Sequence, residues 1–246
     1  MSVYLGNNEV GIGVYEKPPQ KPYTGFKFFG NSYSEAKVKM YRYGNNPQYA
    51  PQVSLLYSMD DGQTWQPYVL DTWITLAINA TVCFMAGPEG NERFSSNNYN
   101  AGDEGWKFVT ENNRTVYPSG NIMSLLTQDY ETADEVPSYA FARLFASGDV
   151  AGTDHYCFSI DPDYYWQTPP RKLVLPATKV GVCGYERMFR GQLNVYDMPD
   201  LPATTVEARA YHEMFYYTGL RDLSGKCLPC IYPSSEAYYY MFGQCS

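Results

Sequence analysis

The sequence predicts a mainly β protein of the α+β class, with an N-terminal hairpin, a small β-sandwich and a short solenoid. Short alternating strands fill the first half of the chain, and a unit of about 26 residues recurs in the second half. A proline-rich stretch with Pro18, Pro19 and Pro22 separates the opening segment from the rest. We therefore divide the chain into residues 1–22, 23–118 and 119–246.

The opening segment reads as a miniature hairpin. Apolar residues stand on either side of Gly6-Asn7-Asn8, a typical turn composition. A lone hairpin is not stable in water, so we expect this one to dock on the body or on another protein. The docking residues are then Tyr4, Leu5, Val10 and Ile12.

Residues 23–118 read as a set of short strands. Ala36-Lys37-Val38-Lys39-Met40-Tyr41-Arg42 alternates apolar and polar side chains, and further apolar runs follow at short intervals. Strands of this length and spacing favour a β-sandwich. The stretch from Gly87 to Gly105 is rich in Asn, Ser, Gly and acidic residues, which predicts an exposed loop.

One turn in this region has a specific pattern. Ser58-Met59-Asp60-Asp61-Gly62-Gln63-Thr64-Trp65 resembles the Asp-box hairpin, which recurs in sialidase propellers and occurs singly in many β-domains. Short polar side chains bond the turn backbone, and the Trp packs beneath it. We therefore expect a structural hairpin built on Ser58, Asp60, Gly62 and Trp65. A single copy does not indicate a propeller hydrolase.

The second half of the chain is organised around a repeated unit. Its clearest copy is Leu201-Pro202-Ala203-Thr204-Thr205-Val206, followed by Tyr211 and then by Met214-Phe215. Similar copies precede and follow it, with a weaker first copy near Val136. A fixed period of this size marks a solenoid, whose units bury their apolar faces against their neighbours. The expected core residues are Tyr185, Met188, Phe189, Tyr211, Met214, Phe215, Tyr238, Met241 and Phe242.

Each unit is predicted to contain a short extended segment, a proline turn and a helix of two to three turns. Val206, Ala210 and Tyr211 fall on one helical face with the Met-Phe pair. Thr204 and Glu207 have the spacing of a capping box at the helix start.

Composition limits the function. The net charge of -8 and the pI of about 4.8 argue against nucleic acid as a partner. We see no signal peptide and no apolar run long enough to insert into a membrane. Most of the 25 tyrosines are expected to pack in sheets and repeats.

The chain has no motif that predicts catalysis. We expect its six cysteines to be reduced and packed. Cys227-Leu228-Pro229-Cys230 leaves a zinc site or a pairing of the two thiols open. His155 and His212 lie in no triad or metal motif, and His212 is expected to face solvent. We therefore predict a non-enzyme without catalytic, cofactor-binding or metal residues and without a cofactor.

The repeated unit Leu-Pro-Ala-Thr-x-Val…Tyr-x-x-Met-Phe resembles the BspA-type leucine-rich repeat of gut Bacteroides relatives and their phages. The resemblance extends from about Asn121 to Ser246. It implies a ligand-binding or adhesive array without catalysis, in the form of a leucine-rich-repeat-like solenoid. The opening hairpin is similar to the docking segments of phage appendage proteins.

These resemblances imply a virion structural protein of a tailed phage, a head-fibre or tail-fibre appendage that serves in assembly and host attachment. The implied partners are other virion proteins, further copies in a dimer or trimer, and a host-surface glycan or protein. Phe242 is followed only by Gly243-Gln244-Cys245-Ser246, without a polar cap, so we expect another chain to cover the open end.

Two alternatives stay open. The first is a bacterial cell-surface leucine-rich-repeat adhesin, which neighbouring export genes rather than capsid and portal genes would indicate. The second is a glycan-binding module, because Trp65, Trp166 and the tyrosine clusters could stack on sugars.

Overall fold

The computed structural model describes the backbone of residues 3–5 and 8–10, and residues 22–96, 104–147, 157–161, 171–221 and 223–245. This part of the chain is mainly β, as the sequence predicts. Its only helices are three short 3-10 turns, at Pro47–Tyr49, Glu111–Asn113 and Ile122–Leu125.

The first half contributes ten strands to the described part of the chain. They are β1 Val3–Leu5, β2 Asn8–Val10, β3 Lys27–Phe29, β4 Ala36–Tyr43, β5 Leu55–Ser58, β6 Gln66–Pro67, β7 Ile74–Leu76, β8 Thr81–Ala86, β9 Gly105–Thr110 and β10 Tyr117–Asn121. The second half contributes β11 Glu135–Val136, β12 Leu173–Val174, β13 Lys179–Val180 and β14 Thr205–Val206.

Two sheets share an aromatic core. One has the order β12-β10-β3-β8-β5-β6, and the other has β4 between β7 and β9. Alternation in β4 turns Val38 and Met40 inward, so that strand buries one face only. Across the core, the Phe28 ring lies 4.9 Å from Phe108, and the Phe84 ring lies 5.2 Å from it. The core is thus made by side chains from both sheets.

Strand β10 connects the two halves of the chain. It pairs antiparallel with β3 and parallel with β12. The six-stranded sheet therefore contains strands from both sides of position 118, where we placed a domain boundary. The three-part division of the chain stays a prediction.

The repeated units place their short strands side by side. β11, β13 and β14 form a parallel three-stranded sheet, with Val136, Val180 and Val206 in register. After its strand, each unit continues into a segment that we call a coil. Coil 1 is residues 137–147, coil 2 is 181–192, coil 3 is 207–218 and coil 4 is 234–245.

The predicted helix in each unit is wrong. The coils are successions of overlapping turns in which every fourth residue has a positive φ, for example Cys183 and Arg187 in coil 2. In an α-helix, interior N–H groups donate to carbonyls of the same helix. In coils 1, 2 and 3, every second N–H donates to a carbonyl of the next coil. The predicted capping box is also wrong, because the Thr204 and Glu207 N–H groups donate to carbonyls of the preceding unit, at Thr178 and Val180.

Candidate interaction site

Two columns of aromatic rings run through the four coils. Successive ring centroids lie 5.7, 5.6 and 5.5 Å apart in the first column and 5.3, 5.5 and 6.0 Å apart in the second, with nearly parallel planes. The first column contains Phe141, Tyr185, Tyr211 and Tyr238, and the second contains Phe145, Phe189, Phe215 and Phe242.

The structure brings the nine expected core residues together in coils 2, 3 and 4. Six of them are the column rings of those coils, and Met188, Met214 and Met241 are buried beside the columns. In coils 2 and 3 the rings are fully buried, whereas in coil 4 Tyr238 and Phe242 are only partly buried. Burial of the core therefore decreases at coil 4.

The backbone gives each coil a direction. Alternate N–H groups of one coil donate to alternate carbonyls of the next, so that each coil has a donor edge and an acceptor edge. From coil 2 to coil 3 the donors are Cys183, Tyr185, Arg187, Phe189 and Gly191, and the acceptors are Ala208, Ala210, His212, Met214 and Tyr216.

The acceptor edge of coil 1 is covered by residues of the first half. The Phe94 N–H donates to the Ala140 carbonyl at 2.9 Å, and the Phe108 N–H donates to the Leu144 carbonyl at 2.8 Å. The Phe94 and Phe108 rings also continue the two columns, 6.2 Å from Phe141 and 5.9 Å from Phe145. These two phenylalanines supply the same donors and rings that a preceding coil would supply, and so they cap the stack.

Sequence reasoning missed this cap. We expected Gly87 to Gly105 to be an exposed loop, but Phe94 and Ser95 are buried there. The stretch is polar in composition, and Phe94 belongs to no periodic pattern of apolar residues that would predict its burial. The close spacing of Phe94 and the strand residue Phe108 arises only when the strands pair.

On the opposite side of the stack, the described residues contribute no further coil. In coil 4, the N–H groups at alternate positions have no acceptor within the described part of the chain. They belong to Glu236, Tyr238, Tyr240, Phe242 and Gln244. We call this side, residues 235–244 with their outward N–H groups and ring faces, the distal face. Tyr239 and Tyr240 at its rim are 52% and 57% exposed.

Charged side chains connect the coils on the flank of the stack. Arg209 Nη2 lies 2.8 Å from Glu186, while Arg187 and Arg190 lie 2.9 and 3.0 Å from Glu213. Burial raises the pKa of Glu213, but the hydrogen bond and charge of Arg187, together with the charge of Arg190, lower that pKa overall. These pairs fix neighbouring coils relative to one another.

His212 is buried within this flank rather than facing solvent as we expected. Its ring stacks on Tyr239 at 5.4 Å, and burial, followed by the Arg209 charge, lowers its pKa. The neutral imidazole therefore serves as a flat surface beneath a rim tyrosine of the distal face.

The turn that resembles an Asp-box is held by its own side chains. Ser58 Oγ accepts from the Gly62 N–H at 2.9 Å, and the carboxylate of Asp60 accepts from the Thr64 N–H at 2.9 Å and hydroxyl at 2.6 Å. The Trp65 indole N–H donates to the Gly62 carbonyl, and the Trp65 ring lies edge-on to Tyr23 at 4.9 Å. The four expected residues thus lie in one local network between β5 and β6.

The hairpin gives a pH prediction. Hydrogen bonds from Ser58 and then Thr64 lower the pKa of Asp60 to about 2. Because this folded-state pKa lies below the unfolded value of about 3.9, the stabilisation is present above about pH 4 and is lost as the pH falls towards 2. A carboxyl-carbon NMR titration should show a midpoint near 2 for Asp60. Ser58→Ala should raise it, while Ser32→Ala, away from the turn, should leave it unchanged.

The expected docking residues are only partly described. β1 pairs antiparallel with β2, so Tyr4 lies opposite Glu9, and Leu5 lies opposite Asn8. Val10 lies in β2 opposite Val3, and Ile12 lies outside the described residues. What these side chains contact stays a prediction. His155 and Trp166 also lie outside the described residues.

Five cysteines, at positions 83, 183, 227, 230 and 245, form no disulfide. Cys227 is exposed and Cys230 is buried, while burial raises the pKa of Cys83 and Cys183 to about 12. Within the ranges that the structure describes, no three or more His, Cys, Asp or Glu side chains are grouped to hold a metal ion. Within the same ranges, no helix has the length and apolar character to cross a membrane.

Comparisons with known proteins find no relative of this chain. A scan against protein-family models, a search of curated proteins and a search of solved structures each return no match for this chain.

Proposed function

We propose that this chain is a non-enzymatic structural protein of a tailed-phage virion, a head-fibre or tail-fibre appendage. The observation that carries the proposal is the distal face, where ring faces and backbone donors are presented together with exposed tyrosines. A surface of this composition is typical of a protein interface, because Tyr is enriched at interfaces. An assembly role accounts for it better than a catalytic role does.

The arrangement of the coils and the two sheets supports the same assembly role. We interpret the coils as a short leucine-rich-repeat-like solenoid and the two sheets around Phe108 as a β-sandwich that carries it. In this interpretation residues 1–22 dock on the particle through the hairpin, and the sandwich forms the body. The solenoid is displayed for contact with other virion proteins, further copies of the chain or the host surface.

The clustered charged groups are consistent with a structural role. Glu186 and Glu213 are each paired with an arginine of a neighbouring coil. Groups committed to ion pairs between repeats stabilise a stack, and they are not arranged as a nucleophile next to a base.

Deletion of residues 1–20 tests the docking part of the proposal. We expect the truncated protein to keep the circular dichroism spectrum and thermal midpoint of the full chain, because the described core lies beyond residue 22. We also expect it to be absent from purified particles, as measured by mass spectrometry of the particle proteins. Tyr33→Ala, which removes a tyrosine that is 85% exposed on the body, is the matched control and should be incorporated normally. Normal incorporation of the truncated chain would overturn the docking role.

A further inference from the structure

From Glu236 to Phe242 the distal face presents backbone donors without free backbone acceptors between them. The carbonyls of Ser235, Ala237, Tyr239, Met241 and Gly243 already accept N–H groups from coil 3. Those of Ser234, Glu236, Tyr238 and Tyr240 already accept N–H groups from within coil 4. The open edge therefore has one polarity.

We propose that the distal face docks the acceptor edge of a different polypeptide chain, a segment that presents a row of free backbone carbonyls and two flat side chains. The inference deepens the proposed function, on which it rests for the source of the partner. The expected chemistry of the partner follows from the contacts between coils. In the stack, the donor edge of one coil is covered by carbonyls of the next coil and by two of its rings, four residues apart.

A second copy of the same face does not fit. Two donor edges facing each other would bury N–H groups against N–H groups, and buried donors without acceptors are costly. The stacking of Tyr238 and Phe242 on the same rings of a second copy would not supply the missing acceptors.

Head-to-tail stacking of copies does not fit either. The acceptor edge that a second copy would need to offer belongs to coil 1. There the carbonyls of Ala140 and Leu144 are already bonded by Phe94 and Phe108. The cap on one end of the stack thus prevents the chain from forming an open filament through its coils. If the chain forms dimers or trimers, these must use another surface.

The partner can be described further by its side chains. Tyr238 and Phe242 are four residues apart in coil 4 and stack on rings with the same separation in coil 3. A partner that continues both columns has an aromatic or other flat residue at positions i and i+4. The rim tyrosines, Tyr239 and Tyr240, then lie at the edge of the contact, where they exclude water from its centre.

The test uses the purified full chain and a synthetic peptide of residues 232–245 as the probe. In the coil conformation this peptide offers the same carbonyls and rings that coil 4 offers to coil 3. At about 1 mM peptide, we expect the amides of residues 236, 238, 240, 242 and 244 to exchange their hydrogens at least about tenfold more slowly, by NMR. The amides of 237, 239, 241 and 243, which are already bonded, should change little.

A control peptide tests whether the rings are needed for binding, and a fused variant tests docking without relying on the free peptide. A peptide with Tyr238→Ser and Phe242→Ser lacks both rings and should give no protection. Fusing a further copy of residues 219–245 behind the chain supplies the same edge at high effective concentration, should the free peptide not adopt the coil.

The proposal is overturned if neither the peptide nor the fused copy slows the five alternate amides. It is equally overturned if those amides become protected with rising protein concentration alone, because the occupant is then a second copy. No particle is used in this experiment, so its failure would leave the result of the N-terminal deletion unaffected.

Discussion

Phe145→Ala is expected to destabilise the protein by about 3–5 kcal/mol, the range for a fully buried phenylalanine. The Phe145 ring stacks on Phe189 at 5.3 Å in the column and on Phe108 at 5.9 Å in the capping strand. It also lies 5.1 Å from Phe158 and within 6.2 Å of two further rings, Phe26 and Phe28. Its removal therefore opens a cavity where the sheets and the coils meet. Urea unfolding followed by fluorescence and circular dichroism measures the loss.

Phe242→Ala is the matched control for this prediction. Phe242 occupies the same column, but it is partly buried, and among the described residues it stacks on Phe215 only. The cost should be about half that of Phe145→Ala or less, because less apolar surface leaves contact with protein. Equal costs at the two positions would contradict the cap formed by Phe94 and Phe108.

Gly120→Ala is expected to have the second largest effect. Gly120 has a φ of 75° in β10, and a β-carbon there would overlap the carbonyl oxygen of Gly25. Its N–H donates to the Lys172 carbonyl beside β12, so the backbone cannot move away freely. We expect a loss of more than about 2 kcal/mol, made up of left-handed backbone strain and the displacement of the segment that contains Gly25. The thermal midpoint should fall accordingly.

Gly225→Ala separates these two causes. Gly225 also has a φ of 75°, but nothing lies within 4 Å of the place where its β-carbon would be. Its substitution should cost only the conformational strain, about 1 kcal/mol. If both glycine substitutions have the same cost, the close approach of Gly25 to Gly120 is not what constrains β10.

The strands and the repeat core could be predicted because their signals are local. Alternation over Ala36 to Arg42 determines which face of β4 is buried, and the recurring Tyr and Phe positions mark the columns. Side chains four residues apart, such as Tyr211 and Phe215, align on one face of an α-helix, and they also align in these coils. The sequence pattern therefore located the core but did not distinguish the two backbones.

The cap and the distal face could not be predicted for a different reason. Both depend on which carbonyl accepts which N–H between units far apart in the chain, for example Phe108 and Leu144. Which edge of a coil carries the N–H donors and which carries the carbonyl acceptors cannot be read from the order of polar and apolar side chains. The burial of His212 follows in the same way, since it depends on Tyr239 in the next coil.

Site-specific photo-cross-linking from position 240 in assembled particles identifies the chain that docks on the distal face. Tyr240 is 57% exposed at the rim of the distal face, so a benzoylphenylalanine side chain in its place reaches a docked partner without entering the core. We expect one cross-linked product, between this chain and a different particle protein. A product that joins two copies of this chain, or no product in particles that contain it, would contradict the docking of a different protein on the distal face.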